Sequence, residues 1–583
     1  MKFILRHATA IAGCFFLHFT LLCAQPSPNV ILILTDDQGW GDLHCHGNDS
    51  IFTPNLDRLA AESVEFDRFY VSPLGAQTRA SLLTGRYALR SGVSWIARRQ
   101  EVMRSEALTM AEVFRDAGYR TAMFGKWHNG AQYPNDPKGQ GFDEFLGFYG
   151  GHLNNYFNPM LLYNGREVRP QGFITDILTD SAIQYIARAG EQPFFCYLAY
   201  NAPHSPFQCP DVYFDKYKRR GLSDKNAAVY GMIENADDNI GRLLHALDSL
   251  GIRDRTYVVF LSDNGPNGER YNGGMRGKKA SVYEGGIRAS CIIHRRNYLS
   301  PRHMPHPAAH IDLLPTLTGL CEISLPKSLV CDGLNLSRVM QGAPDFTENR
   351  AIFSQFSEEK VRPFPGALRL GRYTLVLDER GKAQLFDLAD DPVQEKDLSD
   401  SLTEKTRDLK NRYLQWYGDV TRSGTAPPPV PVGWKESPRV ILEASDAILN
   451  GALRYSSGRG WTDDWLEGWS GARDTAAWVL EVHETGVFSI GLLYNCDGYF
   501  ADRELMLSSD DGNILPFRIA EPFMSEEITT QDRVPRSESA EKVWKNTLIG
   551  QISLQKGMHT LRLYLPDQAA GTFQVKGLVI SKL

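Results

Sequence analysis

The sequence predicts an α/β protein whose mainly parallel sheet lies between helices, followed by a small α+β unit and a β-sandwich. In residues 25–345, apolar runs rich in Val, Ile and Leu alternate with helical patterns, which is typical of a parallel sheet buried on both faces. Residues 346–425 combine short strand patterns with one helix pattern. Residues 435–583 read as short alternating strands separated by Asp and Gly turns, which favours a β-sandwich.

The elements of the first unit follow in order from an apolar strand at 30–34. Thr53 is expected to cap the next helix, with Pro54 in its first turn. Thr109 and Glu112 have the spacing of a capping box at the start of a further helix. The remaining elements are predicted at 120–124, 194–200, 256–261 and 290–293 as strands, and at 230–250 as a long helix with one apolar stripe.

The later units are separated by a segment rich in proline. Residues 426–434 contain the run Ala-Pro-Pro-Pro-Val-Pro, which predicts a stiff linker. Before it, strands are expected at 373–377 and 384–386, with a closing helix at 402–416. After it, strands are expected at 477–482, 487–493, 550–554, 559–565 and 573–580.

Residues 1–24 have the features of a secretory signal peptide. A basic start is followed by an apolar stretch and by a small residue before Gln25. The stretch is too short and interrupted to predict a membrane anchor, and no later segment approaches a membrane span. We therefore expect export to the periplasm or the extracellular space.

The composition excludes several classes of protein. The chain has 583 residues, a formal net charge of −6 and 23% charged residues, which is typical of a folded protein and not of a disordered one. No basic run stands out, so a nucleic acid partner is not expected. Cys321 and Cys331 are close enough in sequence to pair, but the sequence leaves this open, together with the oligomeric state.

Two predicted strands end in paired oxygen ligands. Asp36 and Asp37 follow the first strand, and Asp263 and Asn264 follow a later one. Ligands of such sheets bind beyond the carboxyl ends of the strands. Three carboxylates and an amide at one edge indicate a hard divalent cation, with Ca²⁺ expected first and Mg²⁺ as the alternative. Each pair taken alone is equally typical of a turn.

Basic and imidazole side chains occur in short segments rich in glycine or proline: Lys126, His128, His204 and Lys279. Any one of these side chains alone is more often a surface charge or a loop histidine. Together they provide fixed cations for an oxyanion and histidines for proton transfer.

Several ordered segments resemble the formylglycine-dependent sulfatases of the alkaline phosphatase superfamily. The matching segments are 28–42, 78–87, 125–128, 202–204, 262–265, 283–288 and 385–392. The resemblance implies the sulfatase fold, a hydrolase of sulfuric esters and a sulfated or anionic carbohydrate as partner. It also implies one divalent cation, usually Ca²⁺, bound by Asp36, Asp37, Asp263 and Asn264.

The same resemblance implies catalytic roles for five residues. Arg79 would steady the nucleophile, and Lys126 and Lys279 would hold sulfate oxygens. His128 would support the nucleophile, and His204 would help to protonate the leaving alcohol.

The sequence departs from the family at the nucleophile itself. The family makes formylglycine from Cys or Ser in a Cys/Ser-x-Pro-x-Arg motif, whereas this chain has Gly75 and Gln77 at the Cys/Ser and Pro positions. Gly75 has no side chain to oxidise, so the standard formylglycine mechanism is not possible. The missing Cβ is expected to leave room for a water molecule beside the cation. Thr78 is the nearest hydroxyl, but it is expected to lie past the site.

Three functions remain open. The first is a hydrolase that uses metal-activated water or an unassigned side chain. The second is a non-catalytic binder of sulfated glycans. The third is an enzyme that cleaves a non-sulfate bond, such as a glycosidic linkage. We favour a hydrolase, because a binder has less use for both histidines.

Two further segments are candidates for sugar binding. The polar, aromatic loop 150–156 contains His152 and Asn154 as possible substrate-binding residues. In the last unit, three tryptophans at a spacing of four residues could stack on sugar rings or pack in the core: Trp461, Trp465 and Trp469. Both interpretations remain open.

Overall fold

The structure is a computed structural model that describes residues 27–344 and 347–583. The predicted signal peptide, residues 1–24, lies outside the described residues. Within the part of the chain that is described, no helix is both long enough and apolar enough to cross a membrane.

A ten-stranded sheet forms the centre of the first unit. In spatial order its strands are Arg302–Met304, Val64–Phe66, Cys291–His294, Thr256–Ser262, Asn29–Thr35, Phe194–Ala199, Arg120–Lys126, Glu144–Phe148, Leu161–Tyr163 and Arg166–Val168. The five strands from Thr256–Ser262 to Glu144–Phe148 are all parallel, and antiparallel pairs occur on both sides of them. The predicted α/β class is therefore confirmed, with the parallel part at the centre of a mixed sheet.

Helices cover both faces of this sheet because its central strands are apolar on both faces. In strand Asn29–Thr35, Val30 and Leu32 pack in one core cluster, whereas Ile31 and Ile33 pack in another. The α-helices of the described residues are Pro54–Ala61, Gly75–Thr84, Met110–Asp116, Ile174–Arg188, Asp211–Arg219, Asp224–Ser249, Glu284–Ile287, Leu313–Leu320, Ser337–Met340 and Thr403–Val420.

One predicted helix cap is confirmed and the other is wrong. Thr109 and Glu112 form both hydrogen bonds of a capping box. Helix Pro54–Ala61 begins where expected, but the Thr53 side chain does not cap it. The carboxylate of Asp237 accepts the first-turn backbone N–H groups instead, at 3.1 and 2.7 Å. A carboxylate from a distant helix has taken the place of the local hydroxyl, which sequence spacing does not reveal.

The unit after the large sheet is α+β, as predicted. Its antiparallel sheet consists of Ala351–Gln355, Gly366–Leu370, Tyr373–Leu377 and Ala383–Asp387. Helix Thr403–Val420 packs on this sheet through Leu409 and Tyr413. A small sheet of Phe69–Tyr70, Arg288–Ala289 and Ala308–Ala309 lies in the first unit.

The last part of the chain forms two six-stranded sheets around one apolar core. The first sheet contains Val430–Val432, Ile448–Asn450, Thr475–Val482, Glu504–Ser509, Ile514–Arg518 and Gly557–Tyr564. The second sheet contains Arg439–Glu443, Arg454–Tyr455, Leu466–Glu467, Gly486–Cys496, Lys545–Leu554 and Phe573–Lys582. The additional C-terminal β-sandwich is thus part of the observed fold.

Part of the predicted linker is a strand. Residues Val430–Val432 pair in parallel with Thr475–Val482. The side chains of Val430 and Val432 are buried in the core of the sandwich, and this burial stabilises the strand despite the intervening proline. The predicted linker therefore ends before residue 430, earlier than residue 434.

The cysteines form no disulfide in the described part of the chain. All seven cysteines described there are free thiols. Cys321 and Cys331, whose pairing the sequence left open, are therefore not bridged.

Candidate active site

Two neighbouring strands bring the predicted cation ligands together. Strands Asn29–Thr35 and Thr256–Ser262 pair in parallel, so the residues that follow them leave the sheet at the same edge. The backbone N–H of Asp37 donates to Asp263 Oδ1 at 3.0 Å. Asn264 Nδ2 donates to Asp37 Oδ1 at 2.9 Å. The two pairs are therefore in direct contact.

Three oxygens of this group are buried and accept no hydrogen bond from any described residue: Asp36 Oδ1, Asp37 Oδ2 and Asn264 Oδ1. Buried acceptors without a donor are costly, so their presence together calls for a positive partner. Carboxylate and amide oxygens are the ligands that Ca²⁺ and Mg²⁺ prefer. The residues present fit a divalent cation of this type.

A second set of possible ligand atoms overlaps with the predicted one. Each of three residues, Asp36, Asp37 and His204, offers one ligand atom, and these three atoms lie within 4.8 Å of one another. Asp263 is instead engaged by Arg79, whose Nη2 donates to its Oδ2 at 3.0 Å. The geometry thus brings all four predicted ligands to one place, with His204 beside them.

Three cationic side chains contact the three carboxylates. The ion pairs are Lys126 with Asp36, Lys279 Nζ with Asp37 Oδ1 at 2.6 Å, and Arg79 Nη2 with Asp263 Oδ2 at 3.0 Å. The formal charges of these six groups cancel. A divalent cation would add two positive charges and would make the group attractive to an anion.

Burial and opposite charges act against each other on these groups. Burial opposes the ionisation of Asp36, but Lys126 and the other neighbouring cations outweigh it and hold the pKa of Asp36 below its ordinary value. For Asp263, burial and the negative charge of Asp36 outweigh the attraction of Arg79 and raise the pKa to about 7. Asp263 is therefore the carboxylate whose charge its neighbours stabilise least.

Gly75 is the first residue of helix Gly75–Thr84 and lies against Asp263. A Cβ built on Gly75 would lie 2.3 Å from Asp263 Oδ2 and 3.2 Å from its Cγ. The expectation that the missing Cβ leaves room for a water molecule is therefore wrong, because the Asp263 carboxylate occupies that space. Arg79 lies one helical turn after Gly75, on the same face of the helix, which explains how both reach Asp263.

The side chains of Gln77 and Thr78 are held by contacts outside the group of carboxylates and cations. Gln77 Nε2 donates to the carbonyl oxygen of Ser94 at 2.7 Å, a contact that a proline could not make. Thr78 Oγ1 accepts from the backbone N–H of Ser72 at 2.9 Å. Thr78 is fully buried, so its hydroxyl is not available as a nucleophile.

His128 is buried and His204 is half-buried, and each has one ring nitrogen against a backbone carbonyl. His128 Nε2 donates to Ile96 O at 2.9 Å, and His204 Nδ1 donates to Ser205 O at 2.7 Å. Because a carbonyl only accepts, the lone pairs lie on His128 Nδ1 and His204 Nε2. Burial and the charge of Lys126 lower the pKa of both rings, that of His204 to about 4. Both imidazoles are neutral at neutral pH.

The backbone is strained at three places around this group. Asp37, His128 and Ala280 are not glycines, yet their φ angles are 64°, 64° and 66°. Such left-handed conformations persist only where the surrounding structure holds them, and they cluster at functional sites. Asp37 and His128 are themselves residues of the site, and Ala280 directly follows Lys279. The strain therefore lies at a carboxylate, at an imidazole and next to a cation of the site.

A cavity of about 390 Å³ opens on this group. Its walls include the predicted residues Asp36, Gly75, Lys126, His128, His204 and Lys279. His152, a candidate sugar-binding residue, also lines the cavity. Asn154 is buried and is not among the lining residues.

Comparison with known proteins identifies the family. The family model described as "Sulfatase" matches residues 28–323, which is half of the chain. The chain belongs to the sulfatase family. Human arylsulfatase A is 32% identical to this sulfatase-family chain over 413 residues, which is 64% of the chain and 78% of arylsulfatase A. Mouse N-acetylgalactosamine-6-sulfatase is 34% identical over 356 residues, with 54% of the chain and 67% of the relative covered.

Solved structures resemble this chain in fold. The crystal structure of Ps i-CgsB in complex with k-i-k-neocarrahexaose has 28% sequence identity and a TM-score of 0.64, and the match covers 67% of this chain and 93% of that one. The PsFucS1 sulfatase from Pseudoalteromonas sp. has 21% identity and a TM-score of 0.59, over 68% of this chain and 91% of that one. This second likeness shows the fold alone.

The cavity of this sulfatase-family chain has walls that sequence reasoning missed. Arg459, Trp461 and Thr462 line it from one loop of the C-terminal sandwich, and Ser537 and Glu538 line it from another. The tryptophan spacing pointed towards Trp461. No pattern in the sequence pointed to Glu538, because the histidines that share the cavity with it, such as His204, are more than three hundred residues away in the chain.

Proposed function

We propose that this sulfatase-family chain is a cation-dependent hydrolase that acts on a sulfated carbohydrate with water as the nucleophile. One observation carries the proposal. The cavity beside Gly75 is lined by cationic side chains and two neutral imidazoles, and it opens on a group with three buried oxygens that accept no hydrogen bond from the described residues.

The charge and shape of the cavity support an anionic substrate group. Lys126 and Lys279 line it and offer ammonium groups to the oxygens of a sulfate. The N-terminus of helix Gly75–Thr84 adds a partial positive charge at the same place. The names of the relatives, which include an N-acetylgalactosamine-6-sulfatase, support a sulfate ester on a sugar.

The cation would be held by Asp36, Asp37, Asp263 and Asn264. All four ligands offer oxygen, which favours Ca²⁺, with Mg²⁺ as the alternative. When bound, such a cation stabilises the negative charge on the oxygens of a sulfate group.

His128 provides the proton acceptor for attack by water. His128 Nδ1 is buried without a hydrogen-bond partner among the described residues, and the Ile96 carbonyl fixes its ring through Nε2. It can take a proton from a water molecule that attacks sulfur, while the bond from sulfur to the alcohol oxygen breaks.

The leaving alcohol oxygen then needs a proton. His204 can give one only after its Nε2 has been protonated, because that nitrogen carries a lone pair in the neutral ring. An anionic substrate beside His204 favours that protonation. Without a covalent intermediate the reaction is not divided into two easier steps, so we expect slow turnover.

Cleavage of a glycosidic bond is a second candidate, and Glu538 favours it. Glu538 lines the cavity and is 8% exposed. Burial would raise the pKa of Glu538, but hydrogen bonds with the Ser205 side chain and with the backbone at Glu538 lower it overall, so the group is ionised at neutral pH. Carboxylates in a cleft are the usual catalytic groups of glycosidases.

The test is an assay of products with two sulfated probes. The full chain is incubated with N-acetylgalactosamine 6-sulfate and with k-i-k-neocarrahexaose, and free sulfate and new reducing ends are measured. We expect sulfate. New reducing ends without sulfate would support glycosidic cleavage instead, and binding without either product would identify a binding protein.

A further inference from the structure

We propose that the C-terminal β-sandwich completes the active-site cavity and forms the subsite for the sugar ring next to the reacting group. The ligand of this subsite is a neighbouring ring of an anionic oligosaccharide, recognised by an aromatic ring, a cation and a carboxylate. The inference rests on the proposed function, because it assumes that the cavity takes a sulfated carbohydrate.

The first wall of the subsite is a Trp–Arg pair. Trp461 is half-buried and lines the cavity, with its ring 6.5 Å from the ring of His152. The guanidinium of Arg459 lies 4.4 Å from the centre of the Trp461 ring. An aromatic face packs against the C–H groups of a sugar ring, and a guanidinium binds sulfate or carboxylate groups. The pair therefore suits an anionic sugar.

Trp461 is not needed for the core of the sandwich. Trp465 and Trp469 are only 4% and 5% exposed, and Trp469 belongs to the apolar core of this unit. Trp465 donates from Nε1 to Glu467 at 2.9 Å. Two of the three evenly spaced tryptophans are thus structural, and the third faces the cavity.

The loop that carries Trp461 is held against the sulfatase-like unit. The backbone N–H of Gly151 donates to Thr462 Oγ1 at 3.1 Å, and Arg98 Nη2 donates to the carbonyl oxygen of Arg459 at 3.1 Å. A Cβ on Gly150 would lie 2.2 Å from Thr462 Cγ2, so glycine at this position permits the close approach. The subsite is therefore preorganised, which lowers the entropic cost of binding.

The second wall is the carboxylate of Glu538. Glu538 lines the same cavity from a different loop of the sandwich. That loop is tied to the sulfatase-like unit by Gln208 Nε2, which donates to Asp532 Oδ1 at 2.6 Å, and by Arg533 Nη2, which lies 3.2 Å from Asp215 Oδ1. An ionised carboxylate repels sulfate but accepts hydrogen bonds from hydroxyl groups, so it suits a sugar ring rather than its sulfate.

The test compares two probes by titration calorimetry of the full chain. Inorganic sulfate reports on binding beside Lys126 and Lys279 alone, and k-i-k-neocarrahexaose reports on that binding together with the subsite. We expect Trp461→Ala and Glu538→Gln to weaken binding of the hexasaccharide by about tenfold each, without weakening the binding of sulfate. Trp461→Phe should retain most of the affinity because it keeps an aromatic face.

Two variants in the same unit serve as controls. Tyr499→Ala removes an aromatic side chain that is 81% exposed, and Glu526→Gln neutralises an exposed carboxylate. Both should bind the hexasaccharide as the natural protein does. Unfolding temperatures verify that each variant is folded.

The outcomes separate this inference from the proposed function. If Trp461→Ala and Glu538→Gln bind the hexasaccharide normally, or lose sulfate and hexasaccharide equally, the subsite is wrong and the proposed function stands. A natural protein that binds sulfate and the hexasaccharide with equal affinity also overturns the subsite. A natural protein that binds neither probe overturns the proposed function itself.

Discussion

Arg79 connects the parts of the site at the scale of single residues. It is fully buried, its Nη2 lies 3.4 Å from Asp36 Oδ2, and its Nη1 donates to the carbonyl oxygen of Lys126 at 3.0 Å. With the contact to Asp263, one guanidinium orients two carboxylates and the strand end that carries a lysine. This role does not depend on a side chain at position 75.

Gly75→Ala tests how tightly position 75 packs against Asp263. The new Cβ would lie 2.3 Å from Asp263 Oδ2, so the carboxylate has to move, and we expect a loss of roughly 1–3 kcal/mol in stability together with weaker Ca²⁺ binding. Thermal unfolding and calorimetric Ca²⁺ titration measure the two effects.

Gly418→Ala is the matched control for that change. Gly418 is exposed in helix Thr403–Val420, and no heavy atom of the described residues beyond its own helix and its chain neighbours lies within 4 Å of the new Cβ. We expect it to be neutral or to stabilise the protein by up to about 1 kcal/mol. Equal behaviour of the two variants would contradict the close packing at Gly75.

Lys279→Met tests the assignment of the second sulfate-binding lysine. Lys279 Nζ lies 2.6 Å from Asp37 Oδ1, whereas the adjacent Lys278 pairs with the exposed Glu269. We expect Lys279→Met to weaken binding of inorganic sulfate by roughly tenfold or more, because a charged hydrogen bond contributes about 1.5–3 kcal/mol. Calorimetry on Lys278→Met should give the sulfate affinity of the natural protein. A loss of sulfate affinity in Lys278→Met but not in Lys279→Met would refute the assignment.

At the scale of elements, strand ends decide which side chains meet. The ligands after strands Asn29–Thr35 and Thr256–Ser262 could be predicted, because continuous apolar runs mark buried strands and parallel strands end at one edge. The Thr53 cap could not be predicted correctly, because Asp237 competes for the same backbone groups from a distant helix. Patterns within one segment therefore predict where an element begins. They do not predict its capping group when a residue from a distant segment takes that place.

Thr109→Ala tests the capping box that the sequence predicted. The change removes the side-chain acceptor of the Glu112 backbone N–H, and we expect the unfolding free energy to fall by about 0.5–2 kcal/mol. Thr109→Ser keeps the hydroxyl and should lose much less. If denaturant unfolding finds the two variants equally stable, the cap does not stabilise this helix.

At the scale of the whole molecule, the sandwich is attached to the sulfatase-like unit through buried polar groups. Arg99 is 6% exposed and donates to the carbonyl oxygens of Pro428 at 2.7 Å and Pro429 at 3.0 Å. Its Nη1 also lies 3.5 Å from Asp446 of the sandwich. The sequence could predict both units, but not that one would complete the cavity of the other, since no local pattern encodes that interface.

Glu101→Gln tests this interface through its pH dependence. Burial and the charge of Asp446 raise the pKa of Glu101 from its ordinary value of 4.5 to about 7. A carboxyl whose pKa is higher in the folded protein binds a proton on folding, so its contribution makes stability fall as pH rises from about 4.5 to about 7. We expect Glu101→Gln to flatten this fall and to unfold at a higher temperature than the natural protein at about pH 8.

The control for that measurement is a nearby exposed carboxylate. Glu106→Gln removes a charge five residues along the chain, at an exposed position. It should leave the pH profile of the unfolding temperature unchanged. A Glu101→Gln variant whose pH profile runs parallel to that of the natural protein would show that Glu101 is not held in this way.

The most direct measurement is the release of free sulfate from k-i-k-neocarrahexaose in the presence of Ca²⁺, after addition of a chelator, and after Ca²⁺ is restored. We expect sulfate to appear with Ca²⁺, to stop with the chelator and to resume on restoration, although Gly75 provides no nucleophile. An oligosaccharide that is demonstrably bound but releases no sulfate under any of the three conditions would contradict hydrolysis by water.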